Sequence, residues 1–432
     1  MNGQLKTGSN LQSESGIVYS VQKMLGAGGQ GEVYDVTTAG QHYALKWYFK
    51  HTATEQQKKI LQKLIDTGKP SDNFLWPEDI VADSNGNSFG YIMPLRPVGY
   101  KNIVDLMKRR AEPSFLNLCK ACYNLTQGYQ LLHKAGYQYR DISFGNVFFN
   151  PDDGEVLICD NDNVVPNGEK GGGVLGTPRF MAPEIVRGEA YPSRTTDQFS
   201  LAVLLFYMLF LGHPLEGALE ANIKCMDVYA MNELYGTNPM FIYDPTNNSN
   251  RPVPGYQDNP IIYWQTVYPS HIKELFIRSF TVGLNEPNRR VTEKEWLNGL
   301  ALLIAELIHC PKCGAEVFCD LTTGEDINCW DCRQIVPPTV KLAIGKKKIA
   351  MDADTKIFAH YLNDDYDMTT VAAEIARNPK NPNVLGIRNN TGNTWQYKQA
   401  NGSTLPVESG RTAAIAPNAE INFGRVVGHF ER

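Results

Sequence analysis

The sequence has no long hydrophobic run, no large excess of either charge and no visible signal-peptide pattern. Its longest apolar stretch, residues 199–212, is shorter than the roughly 20 residues that a membrane-spanning helix needs, so we expect a buried helix there. A formal charge of −5 argues against a surface built for nucleic acid. Residues 1–16 are polar and lack the apolar centre of a signal peptide. These absences predict a cytoplasmic protein that binds neither a membrane nor nucleic acid.

The 432 residues, of which 42% are hydrophobic, are enough for roughly two or three domains with their own cores. Nine cysteines without a secretory signal favour a reducing compartment, and metal binding over disulfides. Cys119 and Cys122 form a C-x-x-C pair, but they lie inside a helix predicted from Ser114 to His133. We therefore interpret this pair as part of the core.

The most informative stretch runs from Tyr139 to Asn146 and has the form [HY]-R-D-x-x-x-x-N. In phosphoryl transfer an aspartate orients the attacking hydroxyl, and an asparagine five residues later turns back to hold a metal ion. Asp141 and Asn146 fit these two roles. After a turn, an apolar strand ends at Asp160 and brings a second carboxylate close to the first.

Three short strands predicted over residues 17–50 include a glycine-rich hairpin of the form G-x-G-x-x-G-x-V. Glycines let backbone N–H groups approach phosphate oxygens, although a plain flexible hairpin has the same pattern. Lys46 follows in an apolar strand, where its ammonium suits two phosphates; the alternative is a surface lysine on an edge strand. A dinucleotide-binding fold is disfavoured because the glycines precede a strand and not a helix.

A helix over residues 52–67, N-capped by Thr54, is predicted to supply a carboxylate for Lys46. Glu55 is the glutamate available there, and Gln57 is the alternative occupant of that place. A strand at residues 89–95 then enters a linker whose backbone suits the edge of an adenine ring. The predicted nucleotide-binding residues are Gly26, Ala27, Gly28, Gly29, Gly31, Val33, Ala44, Lys46, Glu55, Met93 and Leu95.

Further motifs follow in order: Gly176-Thr177-Pro178, Ala182-Pro183-Glu184, Asp197 and Arg290. Together with the catalytic loop they resemble the eukaryotic-like (Hanks-type) serine/threonine protein kinases over residues 17–308. The resemblance implies an α+β, bilobal protein kinase fold, with ATP and Mg²⁺ as cofactors and a protein substrate.

The same resemblance implies roles for individual residues. Lys46 would contact the α- and β-phosphates, Asp141 would be the catalytic base, and Asn146 and Asp160 would hold Mg²⁺. It also implies a buried ion pair between Glu184 and Arg290, and a bracing role for Asp197 beneath the catalytic loop. The loop at Gly176-Thr177-Pro178 looks like the substrate-docking loop of serine/threonine kinases.

Two positions depart from the family pattern. Asp162 stands where the D-F-G motif has its glycine, and it either joins the metal site or is a solvated turn residue. Ser143 replaces the usual loop lysine, so electrostatic stabilisation of the transferring phosphate is predicted to be weaker. These changes leave open the alternative of a nucleotide-binding pseudokinase scaffold.

The activation segment lacks a site for an activating phosphate. Residues 161–176 contain no serine, threonine or tyrosine, and Gly171, Gly172 and Gly173 predict a flexible loop. Thr177, the first hydroxyl, is expected to make a structural hydrogen bond near Asp141, so phosphate there should inhibit. We therefore predict that the tail or a partner protein sets the active state.

A second cysteine pattern follows the kinase-like region. Cys310, Cys313, Cys329 and Cys332 form a C-x₂-C…C-x₂-C arrangement, which is typical of a structural Zn²⁺ held by four thiolates. We expect a zinc ribbon over residues 309–335, in which Cys319 is not a ligand. Redox use of the two pairs is the alternative.

Residues 338–432 carry short β-rich runs separated by Asn and Gly turns, which predicts an all-β sandwich. The last strands resemble those of forkhead-associated domains, without the motifs that read phosphothreonine, so an interaction module is expected. The order of kinase, ribbon and β module is similar to kinases of bacterial tellurite-resistance-type phosphorylation systems. That resemblance implies a PP2C-type phosphatase and a von Willebrand A-type protein as partners.

Overall fold

The computed structural model describes residues 3–83, 88–169, 173–322, 326–337, 339–363 and 365–431. Along the chain, a β-rich lobe is followed by a helical lobe, then by two small hairpins and two C-terminal sheets. Among these described residues, every helix is too short or too polar to cross a bilayer.

The N-terminal lobe is a six-stranded antiparallel sheet in the order β1-β2-β3-β4-β6-β5, with one helix beside it. Its sheet starts upstream of residue 17, the predicted start of the domain, because β1 pairs with residues 18–20. Thr54 caps the helix by accepting a hydrogen bond from the Gln57 backbone N–H, as predicted. The elements are β1 (Asn10–Gln12), β2 (Val18–Ala27), β3 (Gly31–Thr38), β4 (Gln41–Tyr48), α1 (Glu55–Thr67), β5 (Asp79–Ala82) and β6 (Phe89–Pro94).

The second lobe is mostly helical, with short strands around the catalytic loop. Its elements are β7 (Lys101–Asn102), α2 (Ile103–Met107), α3 (Phe115–Lys134), β8 (Tyr137–Gln138), β9 (Val147–Phe149), β10 (Val156–Ile158), β11 (Val165–Pro166), α4 (Pro183–Val186), α5 (Arg194–Phe210), α6 (Ala218–Ala221), α7 (Val228–Asn232), α8 (Asp258–Ile262), α9 (Ser270–Ser279), α10 (Val282–Asn285) and α11 (Glu293–Ala305).

Helix α5 forms the centre of this lobe. All its residues from Thr196 to Phe210 are buried, which explains the apolar run that the sequence shows there. Helix α3 packs against α5 and α11, and its Cys119 and Cys122 are fully buried in the core. This burial agrees with the core role predicted for the pair.

Two hairpins carry the four spaced cysteines, and two sheets follow them. The hairpins are β12 (Leu307–His309) with β13 (Glu316–Phe318), and β14 (Ile327–Asn328) with β15 (Ile335–Val336). The sheets are six-stranded, in the order β17-β16-β25-β24-β21-β22, and four-stranded, in the order β18-β19-β20-β23. Their elements are β16 (Val340–Ile344), β17 (Lys347–Met351), β18 (Lys356–Phe358), α12 (Ala359–Leu362), β19 (Val371–Asn378), β20 (Asn381–Asn389), β21 (Trp395–Lys398), β22 (Thr404–Val407), β23 (Thr412–Ala414), β24 (Glu420–Asn422) and β25 (Val427–Glu431).

The C-terminal region packs against helices α3 and α11 of the helical lobe. The Tyr361 hydroxyl donates to the Ala301 carbonyl at 2.7 Å, and the Lys120 ammonium lies 5.3 Å from the centre of the Phe358 ring. Buried residues of both sheets share one apolar cluster with α3, α5 and α11. The tail is therefore joined to the kinase-like lobe by a continuous core.

Candidate active site

The catalytic loop brings three of the predicted side chains together. The Asn146 amide donates to the Asp141 carbonyl at 2.9 Å and to its carboxylate Oδ2 at 3.3 Å. On the other side, the Thr177 hydroxyl donates to Asp141 Oδ1 at 2.8 Å. This bond confirms the contact expected for Thr177, and it fixes the direction of the carboxylate that would meet a substrate hydroxyl.

The loop is braced from below by Asp197 of α5. This buried carboxylate accepts hydrogen bonds from the backbone N–H groups of Tyr139 at 2.6 Å and Arg140 at 3.0 Å, which confirms its predicted bracing contact. His133, at the end of α3, bonds Asp197 at 3.1 Å and Glu293 of α11 at 2.5 Å. The loop thus rests on three helices through one buried polar cluster.

Contacts within this cluster shift the pKa values of His133 and Glu293. Burial lowers the pKa of His133, but its bonds to Asp197 and Glu293 outweigh that effect and raise it to about 9. Burial likewise raises the pKa of Glu293, but its bonds to His133 and Arg194 outweigh that effect and lower it to about 2. At neutral pH the imidazole is therefore a cation between two carboxylates.

Asp160 and Asn146, the two predicted Mg²⁺ ligands, follow strand β10 and belong to the catalytic loop, respectively. Asp160 has a left-handed backbone (φ 54°) that follows strand β10, and its side chain is 40% exposed. Because the Asn146 Nδ2 is used in bonds to Asp141, the remaining polar atom, Oδ1, is the one that can bind a cation. An amide oxygen and a carboxylate are ligands that suit Mg²⁺, so the residues present fit the ion.

Lys46 is paired with Asp162, and not with Glu55 as predicted. Its Nζ lies 2.9 Å from Asp162 Oδ2 and 3.5 Å from Asp160 Oδ1, while Glu55 is exposed in the first turn of α1. Burial lowers the pKa of Lys46, but the two carboxylates outweigh this and raise it. The prediction for Glu55 was wrong because α1 begins at this residue and exposes it to solvent. Gln57, the alternative partner, faces inward and bonds the Asp162 carbonyl.

The side chains predicted to line the nucleotide site lie close together in the N-terminal lobe. Ala44 and Met93 are buried in one apolar cluster, against which Val33 and Leu95 pack. Gly26, Ala27, Gly28 and Gly29 lie at the hairpin between β2 and β3. Gly31 must be a glycine, because a Cβ there would lie 2.1 Å from the Trp47 carbonyl oxygen. That these residues bind nucleotide stays a prediction.

The activation segment meets Arg140, the residue before the catalytic aspartate. The Arg140 guanidinium donates to the Glu169 carbonyl at 3.1 Å, and a Cβ built on Gly173 would lie 3.4 Å from its Nη1. A residue without a side chain therefore stands beside this arginine. Residues 170–172, including Gly171 and Gly172, lie outside the described residues.

The ion pair predicted to support the lower lobe is present. Both Glu184 carboxylate oxygens accept hydrogen bonds from the Arg290 guanidinium at 2.8 Å. The arginine side chain is 1% exposed, so removal of one partner would leave a buried charge at a cost of about 3–5 kcal/mol.

The four spaced cysteines converge in the ribbon hairpins. Their sulfur atoms all lie within 4.8 Å of one another, with Cys310 and Cys332 3.7 Å apart and Cys313 and Cys329 3.6 Å apart. A tetrahedral Zn²⁺ with bonds of about 2.3 Å separates its sulfurs by about 3.8 Å, so the cluster fits this ion. Cys319 lies outside it and donates to the Glu306 carbonyl.

Sequence reasoning missed three contacts. It named Asp162 and Lys46 but did not pair them. It also missed the ion pair between His133 and Glu293. The third contact is the hydrogen bond from the Phe115 backbone N–H, at the start of α3, to the Glu316 carboxylate. The helical periodicity of α3 gave one signal for His133, because this residue lies at the end of the buried face of that helix. The other contacts join residues far apart in the chain, which no local pattern reveals.

Comparison with known proteins identifies the family. The family model of the protein kinase domain matches residues 19–298, well over half of the chain. The chain belongs to the protein kinase family. The bilobal arrangement and the motifs of this kinase agree with that match, and they place the catalytic loop between its lobes.

Relatives of the kinase are distant. The protein kinase YegI of Escherichia coli K12 is 24% identical over 341 residues, covering 73% of this chain and 49% of that protein. The YegI of E. coli O157:H7 is 24% identical over 326 residues, covering 71% and 48%. A probable serine/threonine-protein kinase, CCRP1, of Zea mays is 31% identical over 206 residues, covering 45% and 32%. The chain therefore spans half or less of the length of these relatives.

Proposed function

We propose that this kinase transfers the γ-phosphate of ATP to serine or threonine hydroxyls of a protein, with Mg²⁺. The observation that carries the proposal is the Asp141 carboxylate, held between Asn146 and Thr177 at hydrogen-bond distance. The names of its relatives, which include serine/threonine kinases, support the same activity. The docking loop at Thr177 favours a protein acceptor over a small molecule.

Each residue has a part in this chemistry. Asp141 orients the acceptor hydroxyl and takes its proton, while Thr177 keeps the carboxylate turned toward it. Lys46 binds phosphate oxygens from the N-terminal lobe, and Asn146 and Asp160 would hold Mg²⁺. The ion neutralises charge on the phosphates when bound. Because Ser143 carries no charge, the transferring phosphate receives less stabilisation here than in kinases with a lysine at this position.

The proposal also covers the C-terminal parts. We propose a structural Zn²⁺ at Cys310, Cys313, Cys329 and Cys332, supported by the sulfur spacing. We propose that the β module is a forkhead-associated-like interaction domain, supported by its two packed sheets. The resemblance in domain order supports a cytoplasmic bacterial signalling or stress-response role, with a PP2C-type phosphatase and a von Willebrand A-type protein as partners.

The experiment is incubation of the whole protein with γ-labelled ATP, Mg²⁺ and a generic protein acceptor, followed by phosphoamino acid analysis. We expect labelled phosphoserine or phosphothreonine, and no label when Mg²⁺ is chelated. Nucleotide binding without any transfer would instead establish the pseudokinase scaffold. The uncharged Ser143 and the additional carboxylate of Asp162 would then explain the missing transfer.

A further inference from the structure

The carboxylate that pairs with Lys46 belongs to the activation segment. Lys46 Nζ lies 2.9 Å and 3.0 Å from the two oxygens of Asp162, and the lysine side chain is 6% exposed. Asp160, from the same turn, approaches it to 3.5 Å. A buried ammonium needs such a partner, because an unpaired charge in the interior is costly.

The turn that carries Asp162 is fixed on several sides. The Asp162 side chain is fully buried, and its carboxylate also accepts a hydrogen bond from the Tyr48 hydroxyl. The neighbouring Asn161 amide donates to the carbonyls of Leu75 and Ile158 at 2.8 and 3.0 Å. Asp162 is therefore a built part of the nucleotide site and not a solvated turn residue.

Helix α1 contributes a neutral group to the same place. The Gln57 amide donates to the Asp162 backbone carbonyl at 2.8 Å and to the Tyr48 hydroxyl at 3.3 Å. The helix thus holds Asp162 by amide hydrogen bonds, whereas Lys46 holds it by an ion pair. Hydrogen bonds to charged groups are the stronger of the two kinds.

We infer that Asp162 is the residue that positions Lys46 for the phosphates of ATP, so that the activation segment and not helix α1 sets this part of the site. The inference rests on the proposed function. It follows that Lys46 and Asp160 are ordered together by one turn of the chain. A movement of α1 does not by itself remove the carboxylate from Lys46, because the helix does not carry it.

The test compares variants of the full-length protein. Asp162→Asn keeps the shape of the side chain and removes its charge, so we expect the KM for ATP to rise and kcat to fall, each by at least about tenfold. Glu55→Gln removes the carboxylate that the sequence suggested for this role, and it should keep the parental KM and kcat. Thermal unfolding of both variants shows that they are folded.

Relocation of the charge separates positioning from a merely structural role. The Gln57 amide already contacts the backbone of Asp162, so Gln57→Glu places a carboxylate on α1 beside the same pocket. In the Asp162→Asn background, Gln57→Glu should recover part of the lost kcat/KM, which a general loss of packing would not allow. Gln57→Glu also removes the amide donor to the Asp162 carbonyl, so Gln57→Met in the same background is the control for that loss. A Gln57→Glu double variant that is no more active than this control would overturn the inference.

Other outcomes also decide the matter. Three results would each contradict the inference and leave the proposed kinase activity standing. They are an Asp162→Asn enzyme with the kinetics of the parent, an Asp162→Asn enzyme with a higher kcat, and a loss of kcat/KM in Glu55→Gln equal to that in Asp162→Asn. If the parent protein transfers no phosphate, the proposed function fails. The affinities of parent and Asp162→Asn for a labelled ATP analogue, measured without turnover, then still test the pairing: an equal affinity overturns it.

Discussion

At the scale of single residues, the orientation of Asp141 depends on Thr177. The Thr177 hydroxyl lies 2.8 Å from Asp141 Oδ1, and the Asn146 amide donates to Asp141 Oδ2. Hydrogen bonds to charged groups contribute about 1.5–3 kcal/mol, which corresponds to roughly 10- to 100-fold in rate. We therefore expect this contact to affect the rate of phosphate transfer.

We predict that Thr177→Ala lowers kcat by about 10-fold or more, with little change in the KM for ATP, because the hydroxyl touches the catalytic aspartate. Thr177→Ser keeps the hydroxyl and is the matched control, with kcat close to the parent. Steady-state kinetics measure both. A Thr177→Ala enzyme with parental kcat would show that the bond does not orient Asp141.

Residue patterns predicted much of this site and missed part of it for a definite reason. Asp141, Asn146 and Asp160 belong to local motifs, and the Glu184–Arg290 pair follows from family resemblance. The partner of Lys46 depends on where α1 begins relative to β4, which spacing alone did not settle. The same holds for Glu293, whose contact with His133 bridges 160 positions.

At the scale of elements, helices α3, α5 and α11 meet through the buried cluster of His133, Asp197 and Glu293, with Arg194 bonded to Glu293 at 2.9 Å. The pKa of His133 is raised above its ordinary value, so its contribution to stability is full below about pH 6.5 and is lost as the pH rises through about 9. The pKa of Glu293 is lowered, so its contribution is full above about pH 4.5 and is lost as the pH falls toward about 2.

We predict that the contribution of this cluster to the free energy of unfolding is highest between about pH 4.5 and 6.5 and declines toward pH 9. The alkaline decline attributable to His133 is at most on the order of 3 kcal/mol. Denaturant titrations at several pH values measure it. His133→Gln cannot be protonated and should flatten the alkaline limb; an unchanged slope would contradict the assignment.

The two cysteine-bearing hairpins, which form the predicted ribbon, also contact the helical lobe. Their Glu316 carboxylate accepts from the Phe115 backbone N–H at the start of α3, and their Phe318 and Trp330 rings pack against the Phe115 ring at 5.5 and 5.9 Å. Unsatisfied N–H groups at a helix start favour a negative charge. Folding of the ribbon is thereby coupled to the helix that leads to the catalytic loop.

We predict one zinc per chain, and a lower melting temperature for Cys313→Ser, because metal binding supplies folding free energy to the ribbon. Cys319→Ser is the matched control, since its sulfur lies outside the cluster, and it should retain the zinc. Metal analysis and thermal unfolding provide the measurements. A metal-free protein of undiminished stability would contradict the zinc assignment.

At the scale of the whole molecule, the tail is packed onto the kinase lobe and the activation segment lacks a phosphate acceptor. Tyr361 bonds α11, and Lys120 of α3 covers Phe358. The tail therefore contacts α3 and α11, and α3 ends near His133, which bonds Asp197 beneath the catalytic loop. The sequence predicted the β-rich tail but not the surface of the helical lobe that it contacts. That surface consists of single residues on different helices, such as Lys120 of α3 and Ala301 of α11.

We predict that phosphatase treatment leaves the activity of the full-length protein unchanged, because residues 161–176 offer no hydroxyl and Gly173 faces Arg140. A chain ending near residue 308 should lose activity and stability together, since it uncovers Tyr123 and Phe115. Kinase assays and thermal unfolding on both proteins provide the comparison. Equal activity of the two chains would refute control by the tail.

The most direct measurement of the central claim, that this is a working phosphotransferase site, compares the parent with Asp141→Asn. The account predicts that transfer of labelled γ-phosphate falls to background in the variant, while its affinity for ATP stays near that of the parent. The reason is that Asp141 is proposed to orient the acceptor hydroxyl, and Lys46 to bind the phosphates. Equal rates of transfer in the two proteins would contradict it.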